Sequence, residues 1–212
     1  IQLQFDFQNA LDPRTAIFKQ SETYSFLNQL FFNEGQSLEQ MCQELVMSCE
    51  RVQEIIQHLN TNLPQHYGIS IQLSPLVMEG TEEDIRAFYL DYFSQSYDFL
   101  DWPFPSISEE SLTHLVQLFL DAQQVSPNLS SLRQIKYTLA INLERFNKNH
   151  FIENPTPLLT SHYSSLMQIP QFEENIKKMA KKLCFEPTME TLEQLFSNPI
   201  KSLQIANNPN NG

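Results

Sequence analysis

Between Ser37 and Met78 the spacing of apolar residues changes from helical to alternating, and few chain paths accommodate that order in so short a stretch. Leu38, Met41, Cys42 and Leu45 fall on one helical face. Ser37 stands just before them, and Gln40 follows three residues later, so each side chain is placed to satisfy the other's free backbone N–H. Val46-Met47 then gives way to Ser48, a fresh N-cap, and Val52, Ile55, Ile56 and Leu59 form the inward face of the next helix. After Pro64 and Gly68 the period becomes two: Ile69, Ile71 and Leu73 alternate with Ser70 and Gln72, Ser74-Pro75 turns, and Leu76-Val77-Met78 returns as a second strand. A further helix precedes all of this, starting at Ser21 with Phe26, Leu27, Leu30 and Phe31 on one face and ending at Gly35.

Helix, short helix, tight turn, helix and two-stranded wing is the order of a winged helix-turn-helix, whose last helix lies in the DNA major groove. Periodicity alone leaves an unrelated three-helix knot with a hairpin equally open. The remaining chain reads as mainly α. Thr81, with Asp84 at the capping-box offset, starts a helix with an aromatic face of Phe88, Tyr89, Tyr92 and Phe93. That face is too large for one helix to hide, so the helix is expected to bridge two domains. Asp101-Trp102-Pro103-Phe104-Pro105 cannot continue it, because each proline lacks an N–H and restricts its predecessor. Helical spacing returns from Ser108 to about Val125, Leu129 to Asn147, Pro170 to about Phe185 and Thr188 to Phe196, which predicts an antiparallel helical bundle. The expected divisions are an arm over 1–19, the winged helix-turn-helix over 20–80, a bridging helix and Trp-Pro-Phe segment over 81–104, the bundle over 105–200 and a disordered polar tail over 201–212.

Several function classes are disfavoured. With 4 glycines the chain lacks a Gly-rich phosphate loop, and no nucleophile elbow or other catalytic spacing is visible, so no enzyme and no catalytic residue is expected. Glu82-Glu83-Asp84 points in different directions on a helix and fits the positive helix N-terminus better than a metal. Cys42, Cys49 and Cys184 are odd in number and lack a CxxC pairing, so they are expected to be reduced and structural, with neither a disulfide framework nor a metal site and no cofactor. No apolar run is long enough to span a membrane and no secretion signal opens the chain, which reads as cytoplasmic without a membrane partner. Lys177, Lys178, Lys181 and Lys182 follow Glu173 and Glu174 at helix-pair spacing and read as a solvated face. The net charge of −12 counts against DNA contact, which draws its affinity from neutralised phosphates.

Ser37-Leu38-Glu39-Gln40-Met41 through Val46-Met47-Ser48, then Ile55-Ile56-Gln57-His58-Leu59-Asn60, Tyr67-Gly68-Ile69 and Glu79-Gly80-Thr81-Glu82-Glu83-Asp84-Ile85-Arg86 resemble the Mga/RofA-like transcriptional regulators of Gram-positive bacteria, as does Phe88-Tyr89 to Trp102-Pro103-Phe104. The resemblance spans roughly 20–200 and is strongest over 37–104. It implies a DNA-binding transcription regulator of virulence or sugar-responsive genes, in which a winged helix-turn-helix precedes a phosphotransferase-system regulatory domain (PRD). Full members carry a further N-terminal helix-turn-helix, a second PRD and an EIIB-like end, so the sequence reads as a fragment. The recognition helix implied begins at Ser48 and Cys49 and turns Glu50, Arg51, Gln53, Glu54, Gln57 and His58 outward. Gln53 or Gln57 suits adenine edges, and Arg51 suits guanine or phosphate. The implied partners are promoter DNA, a second copy in a homodimer, and phosphotransferase carrier proteins acting through phosphohistidine.

Ile135-Lys136-Tyr137 through Glu144-Arg145, with Asn147-Lys148-Asn149-His150, resembles a PRD less closely. Counting back from Arg145, the acceptor position of antiterminator-type PRDs holds Thr138. The remaining phosphorylation candidates are His114, His150 and His162. Between Ser21 and His66 the sole Lys or Arg is Arg51, set against Glu22, Glu34, Glu39, Glu44, Glu50 and Glu54. The alternative is therefore a protein-interaction or dimerisation module whose winged helix no longer contacts DNA.

Overall fold

The computed structural model describes residues 21–97, 101–123, 126–155, 168 and 170–197. The chain divides into two compact units, meeting in sequence at Asp101 and Trp102. It is mainly helical, with a winged helix-turn-helix followed by a helical domain. The expected arm over 1–19, the tail over 201–212 and His162 lie outside the described residues.

In the first unit, Ser21 caps α1 (Glu22–Phe32), its Oγ accepting the Tyr24 N–H at 3.1 Å, and the helix buries Phe26, Leu27, Leu30 and Phe31. α2 (Leu38–Leu45) opens with a reciprocal box: Ser37 Oγ accepts the Gln40 N–H at 3.2 Å, and Gln40 Oε1 accepts the Ser37 N–H at 3.0 Å. Its C-cap, Val46, has φ 54°, the left-handed region that turns the chain within one residue. α3 (Cys49–Tyr67) follows, with Ser48 Oγ accepting the Arg51 N–H at 3.2 Å. Pro64, which the sequence marks as a break, sits inside this helix. Placed in the last turn, its ring removes one backbone donor while the helix continues to Tyr67 and stops at Gly68, φ 69°.

β1 (Ser70–Leu73) and β2 (Leu76–Glu79) form an antiparallel pair with Ile71 opposite Met78 and Leu73 opposite Leu76, joined by a cis Ser74–Pro75 bond. Ile69, Ile71, Leu76 and Met78 face the core. At Gly80, φ 143°, an added Cβ would come within 2.7 Å of Ile69 Cγ2, so the chain can leave the hairpin there only without a side chain.

Thr81 starts α4 (Glu82–Ser96), but not with the box its spacing implies. The Thr81 hydroxyl accepts the Asp84 N–H at 3.2 Å and itself donates to Asp84 Oδ2 at 2.7 Å, so Asp84 caps the hydroxyl rather than the backbone. The aromatic face expected to lie between domains finds its partners inside the first unit. Tyr92 stacks on Tyr24 at 5.4 Å and donates its hydroxyl to the Tyr24 carbonyl at 3.0 Å; Phe31 meets Tyr89 and Phe93, and Phe88 meets Tyr67 edge-on.

The second unit opens on a cluster of Trp102, Phe104 and Tyr137, with Trp102 Nε1 donating to the Ile107 carbonyl at 2.8 Å. Here α5 (Glu109–Gln123) packs on α6 (Leu129–Asn147) and on α7 (Pro170–Lys182), while α8 (Met189–Phe196) packs on α6. Its core contains polar side chains that periodicity did not identify. Asn142, fully buried, donates to the Leu195 carbonyl at 2.6 Å; buried Gln194 accepts the Ile152 N–H and donates to the Ile152 carbonyl, both at 2.8 Å.

Candidate nucleic-acid interface

α3 is held by its inward row, Val52, Ile55, Ile56, Leu59 and Leu63, all buried. The opposite row is therefore presented to solvent: Glu50, Arg51, Gln53, Glu54, Gln57 and His58 are exposed. Ser48 is exposed as well, but its hydroxyl is engaged as the cap. Cys49 departs from the expectation. It is half-buried and joined to Cys42 by a disulfide, Cα–Cα 5.5 Å, where the sequence pointed to separate reduced thiols. The odd cysteine count misled because Cys184 is free and exposed, leaving an even pair across the turn.

The wing is fixed to the helix-turn-helix along both edges. On the β1 side, Asn60 of α3 acts as a strand partner: its Oδ1 accepts the Ile71 N–H at 2.8 Å and its Nδ2 donates to the Ile71 carbonyl at 2.9 Å. On the β2 side the Gly35 N–H donates to the Leu76 carbonyl at 2.8 Å, the Leu76 N–H to the Gln36 carbonyl at 3.0 Å and the Met78 N–H to Glu34 Oε1 at 2.7 Å. The outward main-chain groups of Ile71 and Leu76 and the Met78 N–H are thus paired, which sets the wing beside α3 as one body. Sequence reasoning missed both clasps. Asn60 lies on neither the apolar face nor the expected contact row, and only its three-dimensional closeness to Ile71 reveals its task.

Cations are scarce in the first unit, where carboxylates outnumber them. Within residues 21–97 the Lys and Arg residues are Arg51 and Arg86. Arg86 is buried, its Nε donating to Glu82 Oε1 at 2.7 Å, with both side chains nearly inaccessible. Arg51 is the exposed one, and it is occupied: Nε donates to Glu22 Oε2 at 2.7 Å and an Nη to Glu54 Oε2 at 2.9 Å. The Glu22 carboxylate first, then Glu54, hold this guanidinium's pKa above its ordinary value. At the far end of α3 the Tyr67 hydroxyl donates to Asp91 at 2.9 Å; burial, then the Asp91 charge, push that phenol up.

In the second unit, His114 is exposed on α5, and His150 is half-buried beyond the end of α6, its main-chain N–H held by the Arg145 carbonyl at 3.1 Å. Thr138 is buried and donates its hydroxyl to the Gln134 carbonyl at 2.8 Å. Lys177, Lys178, Lys181 and Lys182 are exposed, with Lys177 paired to Glu173. No group of His, Cys, Asp and Glu suited to a metal occurs among the described residues, and none of the helices described is long and apolar enough to cross a membrane.

Comparison with known proteins matches residues 8–93 to the Mga helix-turn-helix domain and residues 108–206 to the PRD domain of the M protein trans-acting positive regulator. A trans-acting regulator from Streptococcus pneumoniae serotype 4 is 38% identical over 136 residues, covering 64% of this chain and 28% of that protein. The capsule synthesis positive regulator AcpB of Bacillus anthracis is 23% identical over 137 residues, 65% of this chain and 28% of its own length. The anthrax toxin expression trans-acting positive regulator of the same organism is 25% identical over 174 residues, 73% of this chain and 36% of its own. The chain thus spans roughly a third of the length of these relatives. A winged helix-turn-helix with both wing edges clasped, followed by a helical domain, and two family matches in the same order lead to one assignment: the chain belongs to the Mga-type trans-acting regulators.

Proposed function

We propose that the chain is the cytoplasmic promoter-binding and regulatory portion of a transcription regulator, without enzymatic activity, acting as a homodimer. The supporting observation is the exposed polar row of α3, presented beside a wing that Asn60 locks in place. In this reading α3 enters the major groove, Gln53 and Gln57 address adenine edges, and Arg51 exchanges its two carboxylates for guanine or phosphate. Ser48, Cys49, Glu50, Glu54 and His58 border the contact. With Arg51 as the exposed cation of residues 21–97, this unit contributes about one released counterion per copy, a slope of log K against log salt near −1. The isolated chain accordingly binds weakly, and specific affinity comes from dimerisation and the rest of the longer protein.

The helical domain supplies association and control, with phosphorylation by phosphotransferase carrier proteins at a histidine; His114, exposed, is better placed for this than the half-buried His150. Electrophoretic binding of the full-length regulator to promoter DNA tests the reading. The double substitution Arg51→Ala, Gln53→Ala is expected to lower affinity at least tenfold, and unchanged binding would refute it.

One observation favours a second reading, a protein-interaction module: Glu22 and Glu54 already satisfy Arg51. In that case full-length protein would bind DNA with the same affinity whether or not α3 is altered.

A further inference from the structure

The sharpest unassigned feature is the cysteine pair that spans the corner between α2 and α3. Cys42 lies in the second half of α2, 5% exposed, and its carbonyl receives the N–H groups of Val46 and Met47 that shape the turn. Cys49 is the first residue of α3 and the more exposed residue of the two, half-buried where Cys42 is buried. Their separation of 7 residues would place them far apart on a continuous helix. The left-handed Val46 folds the chain back and brings the two Cα atoms to 5.5 Å, within the ordinary range for a bridge. The left-handed turn at Val46 and the Ser37 and Ser48 caps on either side of it hold the two residues at this separation.

A regulator working in the cytoplasm meets a reducing thiol pool, where a bond of this kind is transient rather than a permanent staple. We propose that Cys42 and Cys49 form a reversible modification site for small-molecule thiols and disulfides of the glutathione class, which ties the recognition helix to the helix before it when oxidised and releases it when reduced. In the reducing direction a thiolate attacks the Cys49 sulfur, the S–S bond breaks and Cys42 leaves as thiolate, taking a proton. A second thiolate attacks the small-molecule sulfur of the mixed disulfide and frees Cys49. The net change is two small thiols oxidised to one disulfide and one protein disulfide reduced to two thiols. The oxidised state crosses from one helix to the next at the base of the proposed contact row, so it restrains α3 at the residues that would meet DNA.

The inference takes its setting from the cytoplasmic regulator reading, but its test does not use DNA, so the two fail separately. The chain is equilibrated in reduced and oxidised glutathione at a series of ratios, quenched with N-ethylmaleimide, and read by intact mass and peptide mapping, with exposed Cys184 as an internal labelling control. The expected result is Cys184 labelled on the reducing side and carrying a single glutathione on the oxidising side, never joined to another cysteine, with Cys42 and Cys49 labelled together on the reducing side and linked to each other on the oxidising side. Amide exchange over residues 46–51 should slow at least tenfold on oxidation in the wild type and remain unchanged in Cys49→Ser. Labelling of all three cysteines at every ratio, a bond that persists at every ratio, or exchange over 46–51 that ignores the thiol state would each overturn the proposal.

Discussion

The two units of this chain use their uncharged polar side chains differently. In the first, the inward faces of α1 and α3 are apolar, α4 adds an aromatic face with one buried ion pair, Arg86–Glu82, and Gln53, Gln57 and His58 of α3 stand in solvent. In the second, Asn142, Gln194, Thr138, Glu144 and Arg145 are buried among the helices. A unit that turns Gln53, Gln57 and His58 outward has side chains left over for a partner, whereas one that spends Asn142 and Gln194 on its own backbone uses them for internal register. The comparison supports the proposed assignment of recognition to the first unit, and in the second unit it singles out buried polar groups, Glu144 among them, whose loss or change of protonation should alter stability.

The largest expected effect tests the buried half of that comparison. Gln194→Ala leaves the buried Ile152 N–H and carbonyl without their partner, and should lower stability by about 3 kcal/mol in urea unfolding. A loss under about 0.5 kcal/mol, the scale of an ordinary surface substitution, would mean that the polar core is incidental. Next, Asn60→Ala removes two hydrogen bonds that join α3 to the wing and should cost about 2 kcal/mol. Amide exchange should accelerate first at Ile71 and Gln72. If the wing stayed as protected as before, it would not depend on α3.

Glu144 sharpens the comparison through pH. Burial holds its carboxyl above the ordinary value of 4.5, with the Lys148 ammonium pulling partly back. The native state therefore takes up this proton more readily than the unfolded chain. Stability from this group is fully present below pH 4.5 and is lost as pH rises through the raised native value. Glu144→Gln, which keeps an acceptor for the Ser106 hydroxyl, should raise the melting temperature at pH 7 and leave it unchanged at pH 4. An equal gain at both pH values would place the cause elsewhere. The smallest effect belongs to the first unit: Val46, 91% exposed with φ 54°, takes a conformation that suits glycine, and Val46→Gly should add up to about 1 kcal/mol of stability.

Local rules made the first unit legible. The Ser37 box, the Ser48 cap, the inward row of α3 and the alternation of Ile69, Ile71 and Leu73 each depend on neighbours a few residues away, and they gave the order of helices and hairpin. What escaped depends on contacts distant in sequence. Asn60 meets Ile71, Glu34 meets Met78 across 44 residues, and Ile152 meets Gln194 across 42. Period carries no trace of such pairs. The cysteines escaped for a different reason: their pairing follows from the left-handed turn at Val46, a conformation that a β-branched residue does not announce. At the candidate site the sequence named the exposed row and the scarcity of positive charge, but not that Glu22, from a different helix, would claim Arg51.

Backbone chemical-shift mapping of the chain with duplex DNA at low salt addresses the assignment of recognition to the first unit most directly. Perturbations are expected along Ser48, Arg51, Gln53, Gln57 and His58 and at the wing tip around Ser74. Shifts confined to Lys177–Lys182, or none in α3, would contradict it.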